Sequence, residues 1–143
     1  MIEYQKILEK NTLNVFIDVL KNIRDNGLSD NNHLYITFLT NHNDVDLPNW
    51  LKKKYPEEMT IIIQYEYSNI KINKNNFSIS LSFNDILTTL KIGYKAVISF
   101  ADPSANFGLI LQVKKNSKKL KSNLENNKTS TDNVINFSNY KKT

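Results

Sequence analysis

No cysteine occurs in the 143 residues, which excludes a disulfide frame, a thiolate nucleophile and a Cys-rich zinc site. Glycine is scarce, and Gly27, Gly93 and Gly108 lie too far apart to form a loop that cradles phosphates. Arg24 is the single arginine. The accompanying excess of Asn and Lys is what AT-rich codon usage produces, so the lysine count by itself carries little weight. Long apolar runs are also missing: Ile61-Ile62-Ile63 is as long as any, far short of the roughly 18 residues of a membrane span. Met1-Ile2-Glu3-Tyr4 lacks the basic-then-apolar opening of a signal peptide. The expectation is a cytoplasmic protein with no membrane contact.

With 40% hydrophobic and 23% charged residues, the chain has room for one ordinary domain and none for a second. The formal charge of +5 is unevenly placed. Residues 1–112 hold 11 basic and 12 acidic side chains, a net of −1, whereas residues 113–143 hold 8 lysines and 2 acids, a net of +6. The body is therefore not basic, and the tail is.

From Tyr4 to Ile23 the apolar residues Leu8, Leu13, Phe16, Ile17, Leu20 and Ile23 recur at helical spacing among charged ones, predicting one amphipathic helix ended at Asn26-Gly27. Leu8, Leu13, Phe16 and Leu20 fit either a dimer seam or packing on the rest of the domain. The pattern then changes to β-branched and aromatic runs at 33–40, 59–67, 77–83 and 94–100. In the third run Phe77, Ile79, Leu81 and Phe83 alternate with Ser78, Ser80 and Ser82, predicting one core face and one polar face. Leu87 to Ile92 adds a strand through a turn at Asn84-Asp85, and 68–72 another. Pro48 and Pro56 bracket a short helical turn. The predicted fold is mainly β with an N-terminal α-helix, an antiparallel meander curled into a small open barrel.

Residues 113–132 are Lys, Asn, Ser and Thr with few apolar side chains, and are predicted to be a disordered linker. Residues 133–143 break that pattern, since Val134, Ile135, Phe137 and Tyr140 return four large apolar groups before Lys141 and Lys142. An apolar island ending such a tail reads as a docking peptide.

Chemistry-bearing groups are few. His33 opens a strand and His42 lies in a loop, and both are read as solvated or capping residues. Glu57-Glu58 after Pro56 suits a turn, and Lys52-Lys53-Lys54 a solvated helix face. Neither an enzyme nor a cofactor is expected. Lys114, Lys115, Lys118, Lys119 and Lys121 either hold RNA or a ribosomal surface weakly and with strong salt dependence or, the favoured reading, only keep a Lys-rich linker solvated. Trp50, Tyr65 and Phe83 would stack on bases in an open barrel or fill a core.

Three segments narrow these choices. Lys54-Tyr55-Pro56-Glu57-Glu58-Met59-Thr60-Ile61, Phe77-Ser78-Ile79-Ser80-Leu81-Ser82-Phe83 and Ser99-Phe100-Ala101-Asp102-Pro103-Ser104 resemble the bacterial stringent starvation protein B family, as do residues 33–38 and Phe107-Gly108-Leu109. The resemblance covers about residues 1–112 and extends to the tail. It implies a small Sm-like or SH3-like barrel with a leading helix, usually dimeric through that helix, and a non-enzymatic adaptor. In such an adaptor the folded domain binds the ssrA tag of stalled polypeptides, while the C-terminal module docks on the ClpX unfoldase of ClpXP.

The organisation expected is a tag-binding domain at 1–112, a linker at 113–132 and a ClpX-docking peptide at 133–143. For the tag groove the candidates are Gln64 and Glu66 with Tyr65, then Ser82, Phe83 and Asn84, and Ser99, Phe100 and Ala101. Gln64 leads them, because an amide satisfies both a peptide N–H and a C=O where an apolar residue is expected. For ClpX the candidates are Val134, Ile135, Phe137, Tyr140, Lys141 and Lys142. An Sm-like RNA-binding module with a basic tail is the competing reading.

Overall fold

The computed structural model describes residues 1–29 and 31–112. The expected linker and docking peptide lie outside them.

The first element is α1, Tyr4–Asn26. Its apolar stripe is split in use: Phe16, Leu20 and Ile23 are buried and Leu13 packs against the core, while Leu8 is 60% exposed. The helix stops at Gly27, whose N–H donates to the Ile23 carbonyl at 2.8 Å. Gly27 has φ +75°, a backbone that side chains disfavour.

Among the described residues eight strands follow: β1 (Leu34–Leu39), β2 (Val45–Asp46), β3 (Glu58–Ile63), β4 (Tyr67–Ile72), β5 (Asn76–Phe83), β6 (Ile86–Gly93), β7 (Val97–Asp102) and β8 (Phe107–Ile110). A short helix α2 (Asn49–Lys54) links β2 to β3, as the two prolines predict. The strands form two open antiparallel sheets ordered β3-β1-β7-β8 and β2-β6-β5-β4. The mainly β architecture with a leading helix agrees with the sequence reading.

The strand order is more involved than a meander. β4-β5-β6 and the β7-β8 pair follow chain order, whereas β1 lies between β3 and β7 and so joins distant parts of the chain. Two predicted strands are also shortened. The run 59–67 breaks after Ile63, because residues 64–66 form a bend that carries the chain from one sheet to the other. The run 94–100 starts with a 3₁₀ turn at Tyr94–Ala96, where the buried Tyr94 donates its hydroxyl to the Asn73 carbonyl at 2.8 Å. Burial also raises the pKa of that phenol. Neither β2 nor β8 was legible in the periodicity. β2 is two residues held against β6, with Val45 opposite Ile92, and the Gly93 N–H donates to the Asp44 carbonyl at 2.9 Å beside it. A Cβ on Gly93 would stand 2.4 Å from the Asp44 Cβ, so this close approach requires glycine.

The core lies between the sheets under α1. Phe16 meets Phe77 edge-on at 5.6 Å and Phe100 at 5.2 Å, which joins the helix to both sheets through three rings. Alternation in β5 holds, with Phe77, Ile79 and Leu81 buried. Ser80 is buried as well and shares a 2.8 Å hydrogen bond with Thr89 across the ladder.

Candidate functional site

The bend at 64–66 joins two sheet edges, β3 of one sheet and β4 of the other. A cavity of about 450 Å³ opens there, between the C-terminal turn of α1 (Ile23, Arg24, Gly27), the following segment (Leu28, Ser29, Asn32) and residues Gln64, Tyr65 and Tyr67–Ile70. An edge strand presents unpaired backbone groups to whatever enters, which suits an extended peptide.

Local chemistry builds this lining. The Leu28 N–H donates to the Tyr67 hydroxyl at 2.9 Å, which ties the segment after α1 to the start of β4. Within β4, Ser68 pairs with Ser80 but Lys71 with Ser78, so one extra residue is accommodated as a bulge. Asn69 takes the left-handed conformation there, φ +54°, which asparagine tolerates better than most residues. The bulge bends the edge where it borders the cavity. On the far side Ser29 Oγ donates to Asn32 Oδ1, and Asn32 Nδ2 donates to Asp102 Oδ2 at 2.8 Å.

Asp102 anchors this corner. Its carboxylate caps the 3₁₀ turn Pro103–Ala105 by accepting from the backbone N–H groups of Ser104 and Ala105 and from the Ser104 hydroxyl. Burial pushes its pKa up, but the hydrogen bonds from Ser104, Asn32 and the two amides outweigh this and hold it below the ordinary carboxylate value. The stabilisation from Asp102 is therefore complete above its unfolded pKa of about 3.9 and disappears as pH falls through the lower folded value. Thermal unfolding of Asp102→Asn across pH 3–7 is expected to show a Tm deficit of several degrees above about pH 5 that shrinks below about pH 4. A deficit independent of pH would assign the loss to packing.

The sequence candidates fall into three places. Gln64 and Tyr65 line the cavity, Tyr65 with 73% of its surface exposed, and Glu66 completes the bend. All three are off the strand that the sequence predicts for them. Ser82, Phe83 and Asn84 sit at the far end of β5, where Phe83 meets Trp50 of α2 edge-on at 6.4 Å. Asn84 and Asp85 both have positive φ and make the tight turn into β6. The register sets Tyr67 opposite Leu81, so the bend enters β4 beside this end of β5. Ser99, Phe100 and Ala101 lie in β7, paired on both sides by β1 and β8 and buried, and they do not line the cavity. Val134, Ile135, Phe137, Tyr140, Lys141 and Lys142 are outside the described residues.

The sequence reading missed Leu28, Asn32, Tyr67, Ser68 and Asn69. Their one signal was the polar interruption at Ser68-Asn69 inside a β-rich run. His42 Nδ1 accepts from the Asp44 N–H at 3.0 Å, a capping role. The His33 ring instead packs beside Tyr35 at 5.8 Å with its Nδ1 buried and, among the described residues, without a hydrogen-bond partner, so it is neither solvated at that atom nor a cap.

The family model for stringent starvation protein B matches residues 8–142, nearly the whole chain and through the apolar island of the tail. The chain belongs to the stringent starvation protein B family. Members of this family are proteolysis adaptors without catalytic activity of their own, and membership places this chain in that class. Among curated proteins no match is found. The match explains why YPEEMT and SFADPS read as family segments. Tyr55 and Glu57 form the corner onto which Thr40 is fastened, its Oγ1 donating to the Tyr55 carbonyl at 2.5 Å and its N–H to the Glu57 carbonyl at 2.9 Å. SFADPS ends in the Asp102 cap. In this stringent starvation protein B member, no described helix is long and apolar enough to cross a membrane.

Proposed function

We propose that this adaptor binds ssrA-tagged polypeptides at the junction of β3 and β4 and tethers them to the ClpX unfoldase of ClpXP. The supporting observation is the cavity where two sheet edges meet, in a chain of this family. The tag lies extended along the bulged edge, its backbone served by Gln64 and its side chains by Tyr65 and the surface leading to Ser82, Phe83 and Asn84. Residues 113–132 act as the spacer and residues 133–143 as the ClpX contact. Two weak contacts on one chain then act as one strong one, because a linker of about 20 residues raises the local tag concentration toward the millimolar range. Pairing of two copies through α1 would cover Tyr4, Ile7 and Leu8, which are exposed, since Phe16 and Leu20 are already spent on the core.

The test is fluorescence anisotropy of an ssrA-tag peptide titrated with the wild-type protein and Gln64→Ala at 50 and 300 mM salt. Binding that survives salt and weakens about 3- to 10-fold in the variant is expected, the loss of one hydrogen-bonding side chain. Failure of the wild type to bind any tag removes the adaptor reading. RNA binding with a steep salt dependence would replace it.

A further inference from the structure

We propose that the tail segment Val134–Phe137 folds back in cis and adds a strand to the free edge of β8, which holds the ClpX-docking peptide in a latched form. The inference rests on the docking role proposed above for residues 133–143. Among the described residues β8 is the last strand of its sheet and pairs only with β7. Leu111 N–H donates to the Ile98 carbonyl at 2.7 Å, and with Ser99 opposite Ile110 the antiparallel alternation directs Leu109 and Phe107 toward β7. The N–H and C=O of Gly108 and Ile110 therefore point away from the sheet. The same strand exposes Phe107 by 46% and Ile110 by 63%, so an incoming strand gains apolar contact as well as hydrogen bonds.

The occupant is indicated by where the chain leaves the fold. Gln112, two residues beyond β8, is fastened by its amide to the carbonyls of Lys95 and Val97 at 2.6 and 2.7 Å, so the tail starts beside this edge. The 21 residues of 113–133, with a root-mean-square span of about 25 Å, let the island return at an effective concentration near millimolar. Val134, Ile135 and Phe137 are strand-forming residues, and no proline interrupts the tail. At that concentration an intrinsic affinity near millimolar already closes the latch about half the time, so ClpX competes with it and does not face a permanent block.

Amide hydrogen exchange of the full chain, read by NMR at Gly108 and Ile110, tests this. In wild type these amides are expected to exchange about 2-fold more slowly than in Ile135→Pro, at every protein concentration, with core amides of β1 unchanged. Equal exchange in the two proteins overturns the latch, as does protection that persists in Ile135→Pro or grows with protein concentration. Ile110→Lys opens the latch without touching the tail and is expected to raise ClpX affinity about 2-fold. An unchanged affinity also overturns it. The docking reading fails separately, if wild type and Ile110→Lys both leave ClpX unbound.

Discussion

Phe16→Ala is expected to lower the stability of the domain by about 3–5 kcal/mol, a large part of what a domain of this size has in total. The ring is completely buried and contacts Phe77 in one sheet and Phe100 in the other. Its removal therefore opens a cavity at a point where α1 joins both sheets. Urea denaturation followed by tryptophan fluorescence measures the change, with Trp50 as the single reporter. Leu8→Ala is the control, expected to change stability by less than about 0.5 kcal/mol because Leu8 is largely exposed. A loss at Leu8 comparable with that at Phe16 would mean that the first turns of α1 are covered in solution.

Removal of residues 133–143 is expected to abolish assisted delivery of a tagged substrate while leaving tag binding intact. Linking two weak sites commonly strengthens the joint contact by about 10²- to 10⁴-fold, and that factor disappears with one of the sites. Degradation of a tagged fluorescent protein by ClpXP at substrate concentrations well below KM would show it, with peptide anisotropy run alongside. Unimpaired delivery by the truncated protein would place the ClpX contact within residues 1–132. Loss of peptide binding would mean that the tail takes part in the groove.

The latch adds a condition to this scheme. If the docking peptide spends half its time on β8, the adaptor engages ClpX through a competition that a one-residue change at Ile110 biases, far from the groove at Gln64. Tag affinity and protease affinity then vary independently, which the two assays above separate.

Period-2 and period-3.6 patterns reported local structure faithfully where burial is one-sided. The stripe ending in Phe16, Leu20 and Ile23 and the alternation of β5 are both cases in which a single face meets the core. The patterns said less wherever the chain changes partners. Gln64-Tyr65-Glu66 reads as a continued strand, because a bend between sheets needs no glycine or proline. Tyr94–Ala96 reads as strand because its aromatic and apolar residues are buried in a turn as they would be in a ladder. The two-residue β2 depends on a neighbour distant in sequence, Ile92, and β8 is largely exposed along its length, so no one-sided burial marks it with a period.

From the sequence alone came a mainly β domain with a leading helix, the uneven charge, the apolar island of the tail and the resemblance to its family. These are properties of composition, short periods and contiguous motifs, which act over a few residues. The tertiary structure alone decided that β1 lies between β3 and β7, that Ser99, Phe100 and Ala101 are interior, and that Gln64 and Tyr65 share a cavity with Leu28, Asn32 and Asn69. Each is a long-range pairing, set by which apolar faces and strand edges satisfy one another across the whole domain.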